Sequence, residues 1–247
     1  RDLKTTDVSN IIQRGGTILK TARSKAFMTM EGMQTAYDQL SRKNIQALIL
    51  IGGDGTFRGA VEFFRHFQIP AIGLPGTIDN DLSGTDFTIG FDTAVNTAVW
   101  AIDKIRDTAE SHDRMFIVEV MGRDAGYIAL QSGLACGAEH IFIPEKRENI
   151  DTLIAAVCDD QRRKKLTNII VVAEGDEMGG ANEIARIIRE KLPTLETRVS
   201  ILGHIQRGGS PTCFDRLLAS RLGYAAVEAL IQGRTLEMAG MVNNEVV

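Results

Sequence analysis

The alternation of short apolar runs with longer amphipathic stretches constrains the fold of this chain more than any other feature. Buried parallel strands have continuous apolar character, and helices connect them. The alternation predicts an α/β fold of doubly wound, mostly parallel sheets with helices on both faces, in two Rossmann-like domains. The predicted strands are residues 47–51, 71–74, 116–120, 141–143, 169–172 and 199–202, and the predicted helices are residues 59–66, 93–110, 125–136, 150–165, 182–191 and 214–231.

Two glycine-marked joints, near Gly90 and Gly203, predict where the domains meet. The first predicted domain consists of residues 1–90 and 204–247, and the second consists of residues 91–203. The carboxyl ends of parallel strands are where such domains bind ligands, and the unusual residues of this chain follow predicted strands.

Composition excludes several classes of protein. The 247 residues are 44% apolar, which is enough for a buried core, and the net charge of -4 argues against a nucleic acid or an anionic membrane surface as the main partner. No apolar run is long enough to span a bilayer. The three cysteines form no C-x-x-C pair, so neither a disulfide framework nor a zinc site is expected, and a reducing cytoplasm fits best. The abrupt opening at Arg1 shows no signal peptide and suggests a fragment.

Residues 51–56 read Ile-Gly-Gly-Asp-Gly-Thr, directly after a predicted strand. Glycines allow backbone N–H groups to approach a phosphate at a helix N-terminus. Asp54 would add a hard oxygen ligand for Mg²⁺ beside a triphosphate. A tight strand-to-helix connection without a ligand is the alternative.

Residues 75–81 read Pro-Gly-Thr-Ile-Asp-Asn-Asp. Asp79 and Asp81 repel each other unless a metal ion or a substrate hydroxyl lies between them, so this turn predicts chemistry. An Asx-rich turn that only caps its own backbone is the alternative.

Two further segments are Met121-Gly122-Arg123 and residues 203–211, which read Gly-His-Ile-Gln-Arg-Gly-Gly-Ser-Pro. The glycine turn alone occurs in several kinase families. Together, the four segments resemble the bacterial-type ATP-dependent 6-phosphofructokinases over nearly the whole chain. The resemblance implies transfer of the ATP γ-phosphoryl group to the 1-hydroxyl of fructose 6-phosphate, with Mg²⁺, by an allosterically regulated homotetramer.

The resemblance also implies a role for each matching residue. Asp79 is expected to take the proton of the sugar hydroxyl, Thr77 to hydrogen-bond the moving phosphoryl group, and Arg123 to complete the catalytic residues. The residues implied for ATP binding are Arg23, Ser24, Gly53, Asp54, Gly55 and Thr56, with Asp54 as the metal ligand. The residues implied for substrate binding are Thr77, Ile78, Asp79, Asp81, Arg114, Met121, Gly122, Arg123, Glu174, Arg198, His204 and Arg207.

The arginines suit this assignment, because a guanidinium makes charge-assisted and often bidentate contacts to phosphate. Each of them, taken alone, could also be an ordinary surface residue. The resemblance implies that the first domain binds ATP and lacks its first β-α unit here, and that the second binds fructose 6-phosphate. It further implies that Arg114 and Arg198 reach the sugar phosphate of a neighbouring subunit, so that active sites are shared.

A second anion site is implied for an effector, ADP or phosphoenolpyruvate, bound between subunits. The matching positions are Arg106, Glu139, Arg163 and Lys165, and the basic run 162–165 ends a predicted helix. Cations also stabilise any helix C-terminus through the helix dipole, so a plain capping role is the alternative.

Two other functions compete with this interpretation. Pyrophosphate-dependent phosphofructokinases resemble the chain too, but they tend to carry Asp and Lys at the positions of Gly55 and Gly76, where ATP needs space. A catalytically silent binding subunit should have lost a base or a phosphate ligand, whereas Asp54, Asp79 and the matching arginines are all present.

Overall fold

Parallel strands alternate with helices along the chain, which confirms the α/β class. The computed structural model describes residues 2–110, 114–146, 149–162 and 168–247. The strands are β1 (Leu48–Gly52), β2 (Ala71–Pro75), β3 (Met115–Val120), β4 (His140–Phe142), β5 (Asn168–Ala173), β6 (Thr197–Ile201), β7 (Glu237–Met238), β8 (Met241–Val242) and β9 (Glu245–Val246). The helices are α1 (Met30–Arg42), α2 (Asp54–Phe67), α3 (Phe91–Glu110), α4 (Tyr127–Ala135), α5 (Ile150–Arg162), α6 (Gly180–Lys191) and α7 (Cys213–Ile231), with 3-10 helices at Thr5–Asp7, Ala26–Met28 and Gly203–Arg207.

The chain divides into two units, each with its own sheet. The first consists of Arg1–Thr77, Leu82–Gly90 and Pro211–Val247, and the second consists of Ile78–Asp81 and Phe91–Ser210. The predicted joint near residue 90 lies where the units divide. Residues 204–210, which the sequence placed in the first domain, group with the second unit.

The first unit is built on a parallel sheet with the strand order β1-β2-β7, beside the antiparallel pair β8-β9. Every residue of β2 is buried, and the apolar face of α7 packs in the same core through Leu218, Leu222 and Ala226. Gly52 and Pro75 are paired at the ends of β1 and β2. The residues that follow these two strands therefore lie at one edge of the sheet.

Helix α1 was missed by the sequence analysis. The hydroxyl of Thr29 accepts a hydrogen bond from the Gly32 N–H at 3.1 Å and caps the helix N-terminus. Met33, Tyr37 and Leu40 then recur at helical spacing and pack in a second small core of this unit. The cap and the spacing together could have predicted the helix.

The second unit is built on a parallel sheet with the strand order β4-β5-β3-β6. Ile117 of β3 and Ile170 of β5 pack against Ile184 and Ile188 of α6, and all four are fully buried. Burial of such a side chain stabilises the fold by about 1.5–3 kcal/mol. Because β5, β3 and β6 are adjacent and parallel, the residues after each of them lie at one edge.

Some element boundaries differ from the prediction. Helix α2 begins at Asp54 rather than at residue 59, so the glycine turn forms its first turn. Helix α5 is described to Arg162, and the rest of its predicted range, to residue 165, lies outside the described residues. None of the described helices is both long and apolar enough to cross a membrane.

Candidate active site

The glycine turn lies at the junction of β1 and α2. Gly53 is the N-cap residue, and its carbonyl accepts hydrogen bonds from the N–H groups of Thr56 and Phe57 at 2.9 and 3.2 Å. A Cβ at Gly52 would lie 2.3 Å from the Thr56 hydroxyl oxygen, whereas a Cβ at Gly55 would meet nothing within 4 Å. Packing therefore requires the first glycine, and the space at Gly55 is open.

Asp54 begins α2, and its carboxylate is paired with Arg58 one helical turn later. Arg58 Nε donates to Oδ1 at 3.1 Å, and its Nη2 lies 2.6 Å from Oδ2. The Asp54 side chain remains 45% exposed. A ligand at this carboxylate would have to share it with the Arg58 guanidinium.

A cavity of about 1000 Å³ adjoins the glycine turn within the first unit. Its lining includes four residues that the sequence assigned to ATP, namely Arg23, Ser24, Gly55 and Thr56. Leu48, Leu50 and Phe63 give the cavity apolar walls. One apolar space with a cation and a helix N-terminus at its border can accommodate a base and its phosphates.

Thr77 follows β2 at the same edge as the glycine turn. A Cβ at Gly53 would lie 3.5 Å from the Thr77 Cβ, and the Gly76 N–H donates to the Gly52 carbonyl at 3.0 Å. A Cβ at Gly76 would lie 2.8 Å from Cγ2 of Ile51. The expected open space is thus present at position 55 but not at position 76, where packing against β1 is itself a reason for glycine.

The acidic turn belongs to the second unit, in which Ile78–Asp81 groups. Asn80, between Asp79 and Asp81, has a φ of 54°. Asparagine adopts this left-handed conformation more readily than most residues. The backbone geometry therefore agrees with the Asx-turn alternative as well as with a catalytic turn.

The turn Met121-Gly122-Arg123 follows β3, and two side chains hold its three successive N–H groups. Met121 N–H donates to Oε1 of Gln206 at 2.9 Å, and the N–H groups of Gly122 and Arg123 donate to Oε1 of Glu174 at 3.4 and 2.8 Å. Gly122 has a φ of 151° and Arg123 a φ of 57°. Glu174 therefore shapes the turn that the resemblance assigns to the sugar.

Gly175 and Gln206 are residues of this site that the sequence analysis did not assign. A Cβ at Gly175 would lie 2.0 Å from the Arg123 carbonyl oxygen, so the turn can approach β5 only because a glycine is present. Gly175 directly follows Glu174, and Gln206 lies between His204 and Arg207. Proximity to assigned residues was the available signal for both.

His204 and Arg207 lie on the 3-10 helix Gly203–Arg207, which follows β6. Side chains three residues apart eclipse each other in a 3-10 helix, so these two share one face. Both are exposed, whereas Gln206 is only 1% exposed. One face of the helix thus presents a histidine and an arginine to solvent.

Arg114 and Arg198 lie at the amino ends of β3 and β6. Both contact Glu196. Nε of Arg114 is 2.9 Å from Oε2, but this Nε makes no hydrogen bond among the described residues. Nη2 of Arg198 donates to Oε1. The guanidinium of Arg114, and then that of Arg198, lowers the pKa of the Glu196 carboxyl below its ordinary value. The two arginines are therefore neighbours.

These arginines do not lie with the other predicted sugar ligands of the chain. Met121, Glu174 and His204 follow the carboxyl ends of β3, β5 and β6, whereas Arg114 precedes β3 and Arg198 lies near the beginning of β6. Six residues of strand span about 20 Å. The two groups of predicted ligands therefore lie at opposite ends of the strands.

The predicted effector residues are only partly described. The Arg106 guanidinium donates to the carbonyls of Cys136 and Gly137 at the end of α4, and Glu139 accepts from the Ile169 N–H at 2.6 Å. Burial raises the pKa of the Cys136 thiol to about 11, and Asp103 adds to the rise. The other two predicted residues, Arg163 and Lys165, lie outside the described residues. An effector site stays a prediction.

Asp54 is the candidate for holding Mg²⁺. No group of three or more His, Cys, Asp or Glu side chains in the described ranges could hold a metal ion. Mg²⁺ is usually held by one or two carboxylates together with substrate phosphates, so it needs no such group. The partly exposed carboxylate beside the open space at Gly55 fits this manner of binding.

Known proteins share the sequence pattern and the fold of this chain. A family model described as Phosphofructokinase matches residues 1–230. The chain is 59% identical to ATP-dependent 6-phosphofructokinase 1 of Thermus thermophilus over 97% of its length and 74% of the relative's. It is 53% identical to ATP-dependent 6-phosphofructokinase 2 of Bacteroides thetaiotaomicron over its whole length and 76% of that relative.

A solved structure supports the same relationship. The phosphofructokinase of Pichia pastoris in the T-state superposes with a TM-score of 0.90 at 35% identity, over 99% of this chain. The chain spans only 29% of the length of that protein, and about three quarters of the two bacterial relatives. The match of the family model and the identity to the bacterial relatives show that the chain belongs to the phosphofructokinase family.

Proposed function

We propose that this chain transfers the γ-phosphoryl group of ATP to the 1-hydroxyl of fructose 6-phosphate, giving fructose 1,6-bisphosphate and ADP. The observation that carries the proposal is the 59% identity to a relative named as an ATP-dependent 6-phosphofructokinase. The open space at Gly55, beside the cavity that Arg23 and Thr56 line, supports ATP as the donor.

The first unit binds the nucleotide in this proposal. The N-terminus of α2 and the Arg23 guanidinium attract the phosphates, and the apolar part of the cavity takes the base. Asp54 would hold Mg²⁺ together with the phosphates. Bound there, the ion would neutralise charge that develops on the phosphate oxygen atoms.

Asp79 accepts the proton of the sugar hydroxyl as this oxygen attacks the γ-phosphorus. Phosphoryl transfer needs alignment and charge stabilisation more than covalent help, and a carboxylate provides the proton acceptor. Thr77 precedes Asp79 by two residues, so the backbone keeps the Cα atoms of the two residues within about 7 Å of each other. From there Thr77 hydrogen-bonds the transferring group, and Arg123 stabilises its charge.

The second unit binds the sugar phosphate at the carboxyl edge of its sheet. Glu174 holds the Met121–Arg123 turn, and His204 and Arg207 present cationic and hydrogen-bonding groups from one helix face. Arg114 and Arg198 lie at the opposite edge, which supports the proposal that they serve a neighbouring subunit. The assembly would be a homotetramer with shared active sites.

Regulation and location are further parts of the proposal. Arg106 and Glu139, with Arg163 and Lys165, would contribute to an effector site between subunits. We expect the protein in the cytoplasm, where the free thiols Cys136, Cys158 and Cys213 would remain reduced.

A parallel assay with ATP and with pyrophosphate, at equal Mg²⁺, tests the donor. We expect turnover with ATP and little with pyrophosphate. Gly55→Asp should lose most turnover with ATP, because it places a negative side chain where the space is open. Gly223→Asp adds the same charge at an open position of α7 and serves as the control. Equal or faster turnover with pyrophosphate would refute ATP as the donor.

A further inference from the structure

Gln206 is the residue of the 3-10 helix Gly203–Arg207 that points into the protein. It is 1% exposed, whereas His204 and Arg207 on the same helix are exposed. Its side-chain oxygen accepts the Met121 N–H at 2.9 Å. A buried polar side chain therefore anchors the helix that carries two predicted phosphate ligands.

The amide of Gln206 is only half satisfied. Its oxygen must face the Met121 N–H, because the amide nitrogen could not accept that hydrogen bond. Its Nε2 has no hydrogen-bond partner among the described residues, and an unpaired buried donor is destabilising. An apolar side chain of the same length, buried at this position, would stabilise the fold more than an amide with an unpaired donor. The position therefore retains an amide for the bond to Met121.

That bond joins two segments that are remote in sequence. Met121 begins the turn after β3, and Gln206 lies after β6, 85 residues later. On the other side of the turn, Glu174 holds the N–H groups of Gly122 and Arg123. The turn is thus fixed from both neighbouring strands, and the Gln206 bond sets its position relative to His204 and Arg207.

We propose that Gln206 is a positioning residue for the sugar phosphate, which it does not touch. Its bond to Met121 fixes the distance between the turn that contacts the sugar and the helix face that binds the phosphate. This inference rests on the proposed function, because it takes the two segments as parts of one substrate site. A displacement of about 1 Å between such groups can cost up to a hundredfold in rate.

Gln206→Met tests the proposal, because it keeps the length of the side chain and removes both the acceptor and the unpaired donor. We expect the KM for fructose 6-phosphate to rise about tenfold or more, since the turn loses one of its two anchors. The KM for ATP should change less than about twofold, and the melting temperature should stay close to wild type, because loss of one bond is offset by removal of the unpaired Nε2.

Two further variants make the test specific. Gln206→Glu keeps an acceptor at the same place, so it should recover part of the affinity for fructose 6-phosphate. Ile205→Met is the matched control, because Ile205 is exposed on the same helix and should leave both KM values unchanged. A lower melting temperature of Gln206→Met with an unchanged KM for fructose 6-phosphate would show that the bond serves only folding, and would overturn the proposal.

A binding measurement separates this inference from the proposed function. With inorganic phosphate as the probe, the amide resonances of Met121 and Gly122 should shift in the wild-type protein, and should shift much less in Gln206→Met. A protein that fails to phosphorylate fructose 6-phosphate but shows this difference would refute the function and retain the coupling. Equal phosphate-induced shifts in both proteins would refute the coupling itself.

Discussion

The two ends of the second unit's sheet hold their predicted ligands in different ways. At the carboxyl edge, the Met121–Arg123 turn is fixed by a buried hydrogen bond to Gln206 and by two further bonds to Glu174, which is exposed. At the amino edge, Arg114 and Arg198 share the partly exposed carboxylate of Glu196. Buried hydrogen bonds fix a geometry, whereas exposed ion pairs are weak and readily exchange partners.

In a sugar site shared between subunits, as proposed, this difference would make the carboxyl edge the half that is complete within one chain. The carboxyl edge has a preformed turn, with a glycine at position 175 that permits close approach. The amino edge has two cations that are paired with one partly exposed carboxylate, and of the two side chains Arg198 is the more exposed. A site shared between subunits would combine a rigid half with an adaptable half, and the following predictions test that comparison.

The largest expected effect comes from mixing two inactive variants. Asp79→Asn keeps the shape of the side chain and removes the proton acceptor, so kcat should fall about 10²–10⁴-fold while fructose 6-phosphate still binds. Arg198→Ala should weaken fructose 6-phosphate binding and leave ATP binding largely intact. If Arg198 serves a neighbour, hybrid oligomers of the two variants should regain activity at sites that carry both wild-type residues.

The control for this experiment is each variant mixed with itself, which should stay inactive. Well-mixed hybrids that recover no activity would mean that Asp79 and Arg198 act within one chain. A near-normal kcat of Asp79→Asn would instead show that another residue is the base.

A smaller effect is expected from Gly175→Ala at the rigid edge. The new Cβ would lie 2.0 Å from the Arg123 carbonyl oxygen, so the turn must move. We expect a loss of about 1–3 kcal/mol in the free energy of unfolding and a KM for fructose 6-phosphate raised about tenfold. Denaturant titration and steady-state kinetics measure the two effects.

Gly223→Ala is the matched control, because a Cβ there meets nothing within 4 Å and the residue lies inside α7. It should leave the kinetics unchanged and stabilise the helix by up to about 1 kcal/mol. Wild-type kinetics and stability in Gly175→Ala would show that the turn is not held as closely as the structure indicates.

The sequence predicts the sheets well because continuous apolar runs correspond to buried strands. β5, predicted as 169–172, is Asn168–Ala173, and the carboxyl ends of β1 and β2 carry the two assigned turns. The two-residue strands β7 to β9 were missed because so short a segment has no readable pattern. Boundaries such as the beginning of α2 depend on capping geometry. The glycines at this boundary are typical of a loop, so the sequence pattern does not show that the helix already begins at Asp54.

The anchors of the site were harder to predict than its ligands. Gln206 is a polar residue that points inward, against the usual pattern of burial, and only the adjacency of β3 and β6 explains it. Glu196 contacts Arg114 because Met115 is paired with Thr197, and no local pattern encodes that pairing. The assigned roles of the site residues, from Arg23 to Arg207, stay predictions.

The smallest expected effect comes from Glu196→Gln at the adaptable edge. Because Arg114 and Arg198 lower the pKa of Glu196 in the folded protein, this carboxylate stabilises the fold above the pKa of an unfolded glutamate, about 4.3. The contribution is lost as the pH falls through the lowered pKa. Thermal unfolding should therefore show a slightly lower melting temperature of Glu196→Gln than of the wild type at pH 7. The difference should disappear at acidic pH and in high salt, since exposed pairs are screened.

Glu190→Gln removes one partner of the exposed Arg186 on α6 and is the control for loss of one surface charge. It should show a comparably small deficit in melting temperature at pH 7. A large deficit of Glu196→Gln that persists in high salt would mean that the amino edge is as rigidly built as the Met121–Arg123 turn, and the contrast between the two edges would fail.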